Sequence, residues 1–243
     1  AKATLFHLNM DRVPASLYDA SKPFVLFHGG YQSQWTKAQM VVDGVGYNCC
    51  EQFMMAEKAR VFEDWESRNK IMCANNPRDQ KRLGRGVKGF REAIWKKHSF
   101  DVVLRGNLAK YEQHAQLREK LLSTGDRVIA EASPNDAVWG IGLHESNPKA
   151  HNMETWAGTN LLGAVLMLVR EELRLCIQSD AEKQAKRLCS SGSAAGNGAS
   201  NITTAGSMAA TSASSPKEAE DAVNNPKEDA SIAGSKRLKA GVD

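Results

Sequence analysis

Apolar positions recur at helical period through Glu51-Gln52-Phe53-Met54-Met55-Ala56-Glu57-Lys58-Ala59-Arg60-Val61-Phe62, with Met54, Met55, Val61 and Phe62 forming one stripe. Asn48 stands where this helix needs a cap. Upstream, Phe24-Val25-Leu26-Phe27 after Pro23 is a short β-like run that stops at Gly29-Gly30. Met40-Val41-Val42 followed by Asp43-Gly44-Val45-Gly46-Tyr47 predicts a hairpin. Downstream, Asn76-Pro77 opens another helix with proline in its first turn, leading to the apolar and aromatic positions Val87, Phe90, Ile94 and Trp95. Ser99 reads as the cap of a helix running to Leu122 and stopped by Thr124-Gly125. Val128-Ile129-Ala130-Glu131-Ala132 is short and β-like, and a polar, glycine-rich segment follows from Ser133 to Gly142. The last helix begins near Thr159-Asn160 and ends in Arg170-Glu171-Glu172-Leu173-Arg174. Helices dominate and a few short strands are scattered among them, which predicts a mainly helical α+β single domain.

Composition sets its boundary. The last aromatic is Trp156 and the last long apolar run is Leu161 to Ile177. From Ser179 the chain turns to Ser, Gly, Ala and Thr with Lys/Glu mixtures, too few apolar groups to offset ordering entropy. A globular domain over residues 1–178 and a disordered tail over 179–243 are therefore expected. The tail carries eight basic and eight acidic residues, so the formal charge of +4 belongs to the domain. That excess is too small for general nucleic-acid binding, yet it suits an anionic ligand. Five cysteines (Cys49, Cys50, Cys73, Cys176, Cys189) lack a framework spacing and read as reduced thiols. No signal-peptide pattern is read, and Leu161–Val169 is too short to span a bilayer. An intracellular, cytoplasmic protein without membrane attachment or an obligate protein partner is expected. The Lys236-Arg237-Leu238-Lys239 cluster fits a nuclear import signal.

Chemistry enters with Lys58. It lies three or four residues from each member of the apolar stripe, where burial favours the neutral amine and lowers its pKa. Glu51 projects from the same side two turns earlier, about 10 Å along the axis. The pair could act on the two ends of one small substrate; alternatively Lys58 snorkels outward and Glu51 is a first-turn cap. In Asn135-Asp136-Ala137-Val138-Trp139-Gly140-Ile141-Gly142, an acid, an aromatic plane and two glycines suit close approach of a ligand to backbone, or a turn capped by Asp136. Lys81-Arg82-Leu83-Gly84-Arg85-Gly86 can hold a phosphate or form a solvated helix face. Asn160 either meets a ligand or caps the last helix, and Gly158 and Gly163 mark close packing. No P-loop, dinucleotide, nucleophile-elbow or zinc-protease fingerprint occurs, and the six histidines have no ligand spacing, so neither cofactor nor metal is expected.

Taken in order, these segments resemble the NADAR family of YbiA-like N-glycosidases, from about Phe24 to Arg174. The resemblance rests on Phe27-x-Gly29, Ser33-Gln34-Trp35, Glu51-Gln52-Phe53-Met54-Met55-Ala56-x-Lys58-Ala59, Lys81-x-x-Gly84-Arg85 and Trp95. It continues through Asp136-x-x-Trp139-Gly140-x-Gly142 and Trp156-x-Gly158-x-Asn160-x-x-Gly163. Asn48-Cys49-Cys50 departs from the Ser/Thr-Val common in the family. The resemblance implies cleavage of a C1–N bond at ribose, on ADP-ribose attached to guanine in nucleic acid or on phosphoribosylamino-pyrimidine intermediates of riboflavin synthesis. It implies functional roles for Glu51, Lys58, Asp136, Trp95 and Trp139. Glu51, Lys58 and Asp136 are then the expected catalytic set. Gly29, Trp35, Lys81, Arg82, Arg85, Trp95, Trp139, Gly140 and Asn160 are the expected substrate contacts. The competing expectation is a module that binds ADP-ribose or NAD without turnover.

Overall fold

Helix α1 (Cys50–Val61) is buried at every position from Cys50 to Ala59 in the computed structural model, which describes residues 21–192 together with Pro14, Ser16 and Asp19. The expected single apolar stripe therefore understates its environment. Helices α2 (Trp65–Cys73), α3 (Pro77–Arg85) and α4 (Glu92–Gln113) all pack against α1. Its polar residues are tolerated inside where they are partnered. Gln52 accepts from the Asn48 amide at 2.7 Å and donates to the carbonyls of Ile71, Met72 and Ala74 at 3.1–3.2 Å. Glu57 accepts two hydrogen bonds from Arg60 Nε at 3.1 Å. Cys49, not Asn48, occupies the cap position. The Asn48 side chain instead donates to the Ala74 carbonyl and accepts from Gln80, tying the start of α1 to α3.

Sequence patterning missed α2 because only Ile71 of its nine residues is buried, leaving no apolar period to read. Its cap is Asp64, which accepts from the Ser67 amide at 3.1 Å. Helix α3 starts as expected, with the Asn76 side chain accepting from Arg78 N at 2.8 Å and Pro77 in the first turn. The single helix expected over Ser99–Leu122 is two. Helix α4 begins at Glu92, with Ser99 buried inside it, and breaks at His114 before α5 (Ala115–Leu122). The break is held by His114 Nε2, 2.7 Å from the Gln39 carbonyl oxygen.

Strands β1 (Val25–Phe27) and β4 (Ile129–Glu131) pair in parallel, with Phe27 opposite Glu131. Strands β2 (Met40–Val42) and β3 (Val45–Tyr47) form the expected hairpin, closed by Asp43 and Gly44 at φ 50° and 78°. Helix α6 (Leu161–Gly192) lies against β4 and α4 and buries Leu161 to Arg170 and Leu173. It continues beyond the expected end at Arg174 and the boundary at 178, because Ala181-Glu182-Lys183-Gln184-Ala185-Lys186-Arg187 is rich in strong helix formers. These residues are exposed, and Lys183 pairs with Asp180 at 3.2 Å. The rest of the expected tail, with its basic cluster, lies outside the described residues. One core cluster joins Phe27, Met40, Phe53, Ile71, Phe100, Tyr111, Leu121, Ile129 and Leu166, confirming the mainly helical α+β class. Among the described residues no helix is long and apolar enough to cross a membrane.

Candidate active site

Glu51 sits in the first turn of α1, 5% exposed, and its Oε1 has no hydrogen-bond partner. A buried carboxylate oxygen without a partner is costly, and the group responds by holding its proton. Burial raises the Glu51 carboxyl to about 7; the negative charge of Asp136 adds to the rise. Lys81, a hydrogen bond from the Trp35 indole, and Arg85 oppose it. Two turns along the same helix, Lys58 is 9% exposed, with its Nζ 4.1 Å from the Phe90 ring centroid. Burial lowers its pKa, as the apolar surroundings predicted; Arg85 adds to the fall and Glu51 opposes it. Phe90 itself is 42% exposed.

A second arm of the site comes from β4 and the loop that follows. Glu131 ends β4, and its Oε2 is buried without a partner. Burial raises this carboxyl to about 7; Asp136 adds to the shift, Lys81 opposes it, and Glu51 adds further. The backbone here is tightly fixed. Asn160, at φ 54°, accepts from Glu131 N at 3.0 Å and donates to the Ile129 carbonyl at 2.9 Å. Its side-chain amide is thereby engaged by β4 and positions Glu131, while Asn160 also stands at the start of α6, its carbonyl accepting from Ala164 N at 3.0 Å. Gly140 also belongs here, since a Cβ would stand 2.9 Å from the carbonyl oxygens of both Asp136 and Glu131. Asp136 serves two tasks. Its Oδ1 accepts from Val138 N and Trp139 N at 3.0 and 2.8 Å, as an Asp-capped turn requires, and its charge acts on Glu51 and Glu131.

The third arm is basic. Lys81 and Arg85, one turn apart on α3, act electrostatically on this carboxylate cluster or on Lys58. Arg82 points elsewhere: exposed, it pairs with Asp79 at 3.4 Å. Lys81 Nζ lies 5.8 Å from the ring centroid of Trp35, which is 38% exposed. The loop carrying Trp35 follows Gly29 (φ 141°) and a short 3-10 turn, Gly30–Gln32. It is pinned from below by Lys110, whose buried ammonium donates to the carbonyls of Tyr31 and Ser33 at 2.7 and 3.0 Å. Glu51 N donates to the Gln34 carbonyl at 3.0 Å, locking the same loop to the start of α1. Trp95 and Trp139 are partly buried and pack against the main core.

Sequence reasoning thus found Glu51, Lys58, Asp136, Trp35, Lys81 and Arg85, which the fold brings together. It missed Glu131, Phe90 and Lys110. A signal for the first existed: Glu131 is the only charge within Val128–Ala132. Among the described residues no group of three or more His, Cys, Asp or Glu could hold a metal ion.

The model of the NADAR domain matches residues 19–174. The chain belongs to the NADAR domain family. It is 41% identical over 162 residues to a protein named as an N-glycosidase from Acanthamoeba polyphaga mimivirus, covering 61% of this chain and 95% of that one. It is 33% identical over 134 residues to N-glycosidase YbiA of Escherichia coli, covering 55% and 75%. The NMR structure of E. coli YbiA superposes with a TM-score of 0.54 at 28% identity, over 67% of this chain and 93% of that one. This NADAR domain therefore shares the YbiA fold.

Proposed function

We propose that this protein is an N-glycosidase that hydrolyses the C1–N bond between ribose and a base or amine. The observation that carries the reading is Glu51: a buried carboxyl, near 7, with one oxygen free, on the same helix as a desolvated lysine. A carboxyl of that pKa can donate a proton at neutral pH, and a lysine whose pKa is lowered presents more free amine as nucleophile. The Lys58 lone pair bonds to C1 as the C1–N bond breaks, and the departing nitrogen takes the bonding pair and a proton from Glu51. The new C1–Lys58 nitrogen sheds two protons, one of them to the ring oxygen as the ribose opens. The resulting Schiff base is hydrolysed by water, which restores the amine and releases the sugar. Asp136 accepts from a sugar hydroxyl, Trp35 or Trp139 stacks on the base, and Lys81 and Arg85 hold phosphate.

The substrate classes this reading favours are ADP-ribose on guanine in nucleic acid and phosphoribosylamino-pyrimidines. A module that only binds ADP-ribose or NAD would need the aromatic and basic groups alone. A buried carboxyl with a free oxygen would burden it with no return. The test is direct. Wild-type protein with ADP-ribosyl-guanine DNA, and in parallel a phosphoribosylamino-pyrimidine, should release the free sugar from one or both. Borohydride during turnover should trap a sugar on wild-type protein and none on Lys58→Met. That variant removes a desolvated amine from an apolar setting, so its melting temperature should hold or rise while the rate falls by several orders of magnitude. Near-normal turnover by Lys58→Met would move the nucleophile's role to a water activated by Glu51 or Asp136. Binding without sugar release from either substrate would favour the non-catalytic module.

A further inference from the structure

We infer that Glu131 is a second acid–base residue of this site, working with Glu51 as a carboxyl pair that exchanges roles between the two halves of the reaction. The inference rests on the N-glycosidase reading and completes its proton balance. Of the two protons lost by the C1–Lys58 nitrogen, one goes to the ring oxygen and the other has no acceptor in the steps above. Ionised Glu51 could take it back, but it would then be protonated when the attacking water needs a base; a second carboxyl that takes the nitrogen's proton leaves Glu51 ionised for that step.

The structure offers one further carboxyl with a free, buried oxygen. Among the described residues, four side chains have a buried polar atom without a hydrogen-bond partner, and two of these atoms are carboxyl oxygens: Glu51 Oε1 and Glu131 Oε2. They come from different elements, the first turn of α1 and the end of β4, and each is close enough to Asp136 and Lys81 to feel both charges. Around Glu131 the charged groups are Asp136 from the following loop, Lys81 from α3 and Glu51 from α1. Around Glu51 they are Lys81 and Arg85 from α3 and Asp136, with Lys58 further along α1 feeling its charge. Two carboxyls so placed hold their protons to about neutrality, and because Glu131 feels the charge of Glu51, ionising one hinders the other. A shared proton at neutral pH is the expected state.

Placement argues for function over accident. A carboxyl with no role at the end of a strand would turn to solvent or find a donor. Glu131 is instead fixed from three sides: Asn160 holds its amide, and Ile141 N and Ser133 N donate to its carbonyl at 2.8 and 2.9 Å. The proton cycle then closes. Glu51 gives its proton to the departing nitrogen, and ionised Glu131 takes one from the Lys58 nitrogen. In the second half Glu51 takes a proton from the water whose oxygen bonds to C1, while Glu131 returns its proton to the Lys58 nitrogen. As C1–Nζ breaks, Glu131 passes the remaining hydroxyl proton to that nitrogen. Glu51 ends protonated, Glu131 ionised and Lys58 a free amine.

The experiment combines a titration without substrate and a rate profile with it. Protein carrying glutamate labelled at the carboxyl carbon is titrated by carbon NMR in wild type, Glu51→Gln and Glu131→Gln. Two carboxyls should titrate near neutrality in wild type, and in each variant the survivor should shift to lower pH. The kcat of Glu131→Gln on ADP-ribosyl-guanine DNA or the phosphoribosyl substrate should fall by roughly a hundredfold or more, with KM little changed and one limb of the pH profile lost. Glu131→Asp should recover part of that rate, which a purely structural role would not predict. If wild type cleaves and Glu131→Gln keeps its rate and profile, the inference is overturned. If wild type cleaves no N-glycoside, the function proposed above fails while the titration still decides the pair: independent titrations, or none near neutrality, overturn it. Should Glu131→Gln fail to fold, Glu131→Asp carries the test through its displaced pH profile.

Discussion

At the scale of single residues, the same burial that suits Glu51 to proton transfer acts on stability. In the unfolded chain its carboxyl ionises near 4.5, whereas in the folded protein it holds its proton to about 7. Between those values the unfolded state has released a proton that the native state retains, so stability falls as pH rises through this window and levels off above it. The full shift corresponds to about 3 kcal/mol as an upper bound. Glu51→Gln cannot ionise and escapes the loss. Urea unfolding should therefore find the variant close to wild type at pH 4 and more stable, by about 1–3 kcal/mol, at pH 8. Asp64 has the opposite dependence, since a hydrogen bond from the Ser67 side chain, helped by the Lys88 and Ser67 amides, holds its carboxyl down to about 2, but it is common to both proteins and cancels in the difference. A variant less stable than wild type at pH 8 would mean that ionised Glu51 is stabilised by its neighbours, and the proton-donor role would go with it.

At the scale of elements, the site depends on how closely α6 approaches β4. Gly163, in the first turn of α6, has no room for a Cβ: it would overlap the Ile129 carbonyl oxygen and both polar atoms of the Asn160 amide. Helix propensity alone favours Gly163→Ala by about 1 kcal/mol, but the overlap is with backbone and with a pinned side chain, where overpacking costs about 1–3 kcal/mol. The substitution should lower the melting temperature. It should also reduce turnover beyond what lost stability explains, because Asn160 sets the position of Glu131. Unchanged stability would show that α6 can move away from β4 freely. The same contrast between local and long-range causes explains what could be read in advance. Asn76-Pro77 and the Asp43-Gly44 turn announce their elements because the signal lies in the element itself. Helix α2 was silent because its burial is confined to Ile71, and the break at His114 depends on the distant Gln39 carbonyl. Lys58 was legible because the groups that desolvate it include its own helix neighbours. Glu131 shows in the sequence only as a lone charge in a β-like run, because the charges that act on it come from Glu51 on α1, Lys81 on α3 and Asp136, which only the fold assembles.

At the scale of the whole molecule, the fold and the site are built from the stretch between Val25 and Leu173, and α6 extends past it with no residue buried as far as Arg187. Leu175 and Ile177 are about half exposed, and the side chains from Leu175 to Arg187 are all on the surface. A helix in that position adds backbone hydrogen bonds and surface ion pairs such as Lys183–Asp180, each worth less than about 1 kcal/mol in water. Its first turns are different, since Leu162, Val165, Leu166 and Val169 are in the core and Arg170 donates to Thr124 and to the Arg127 carbonyl. Three truncations separate these parts. A chain ending at Gly192 should keep the melting temperature and turnover of the full chain on a small N-glycoside. A chain ending at Gln178 should lose only a few degrees, since no core side chain is removed. Ending at Leu166 should unfold the protein, because Val169 and Leu173 go with the anchor at Arg170. If the chain ending at Gly192 loses activity on the small substrate while staying folded, residues beyond 192 contribute to the site. Loss on an ADP-ribosylated nucleic acid alone would instead assign those residues to holding the polymer.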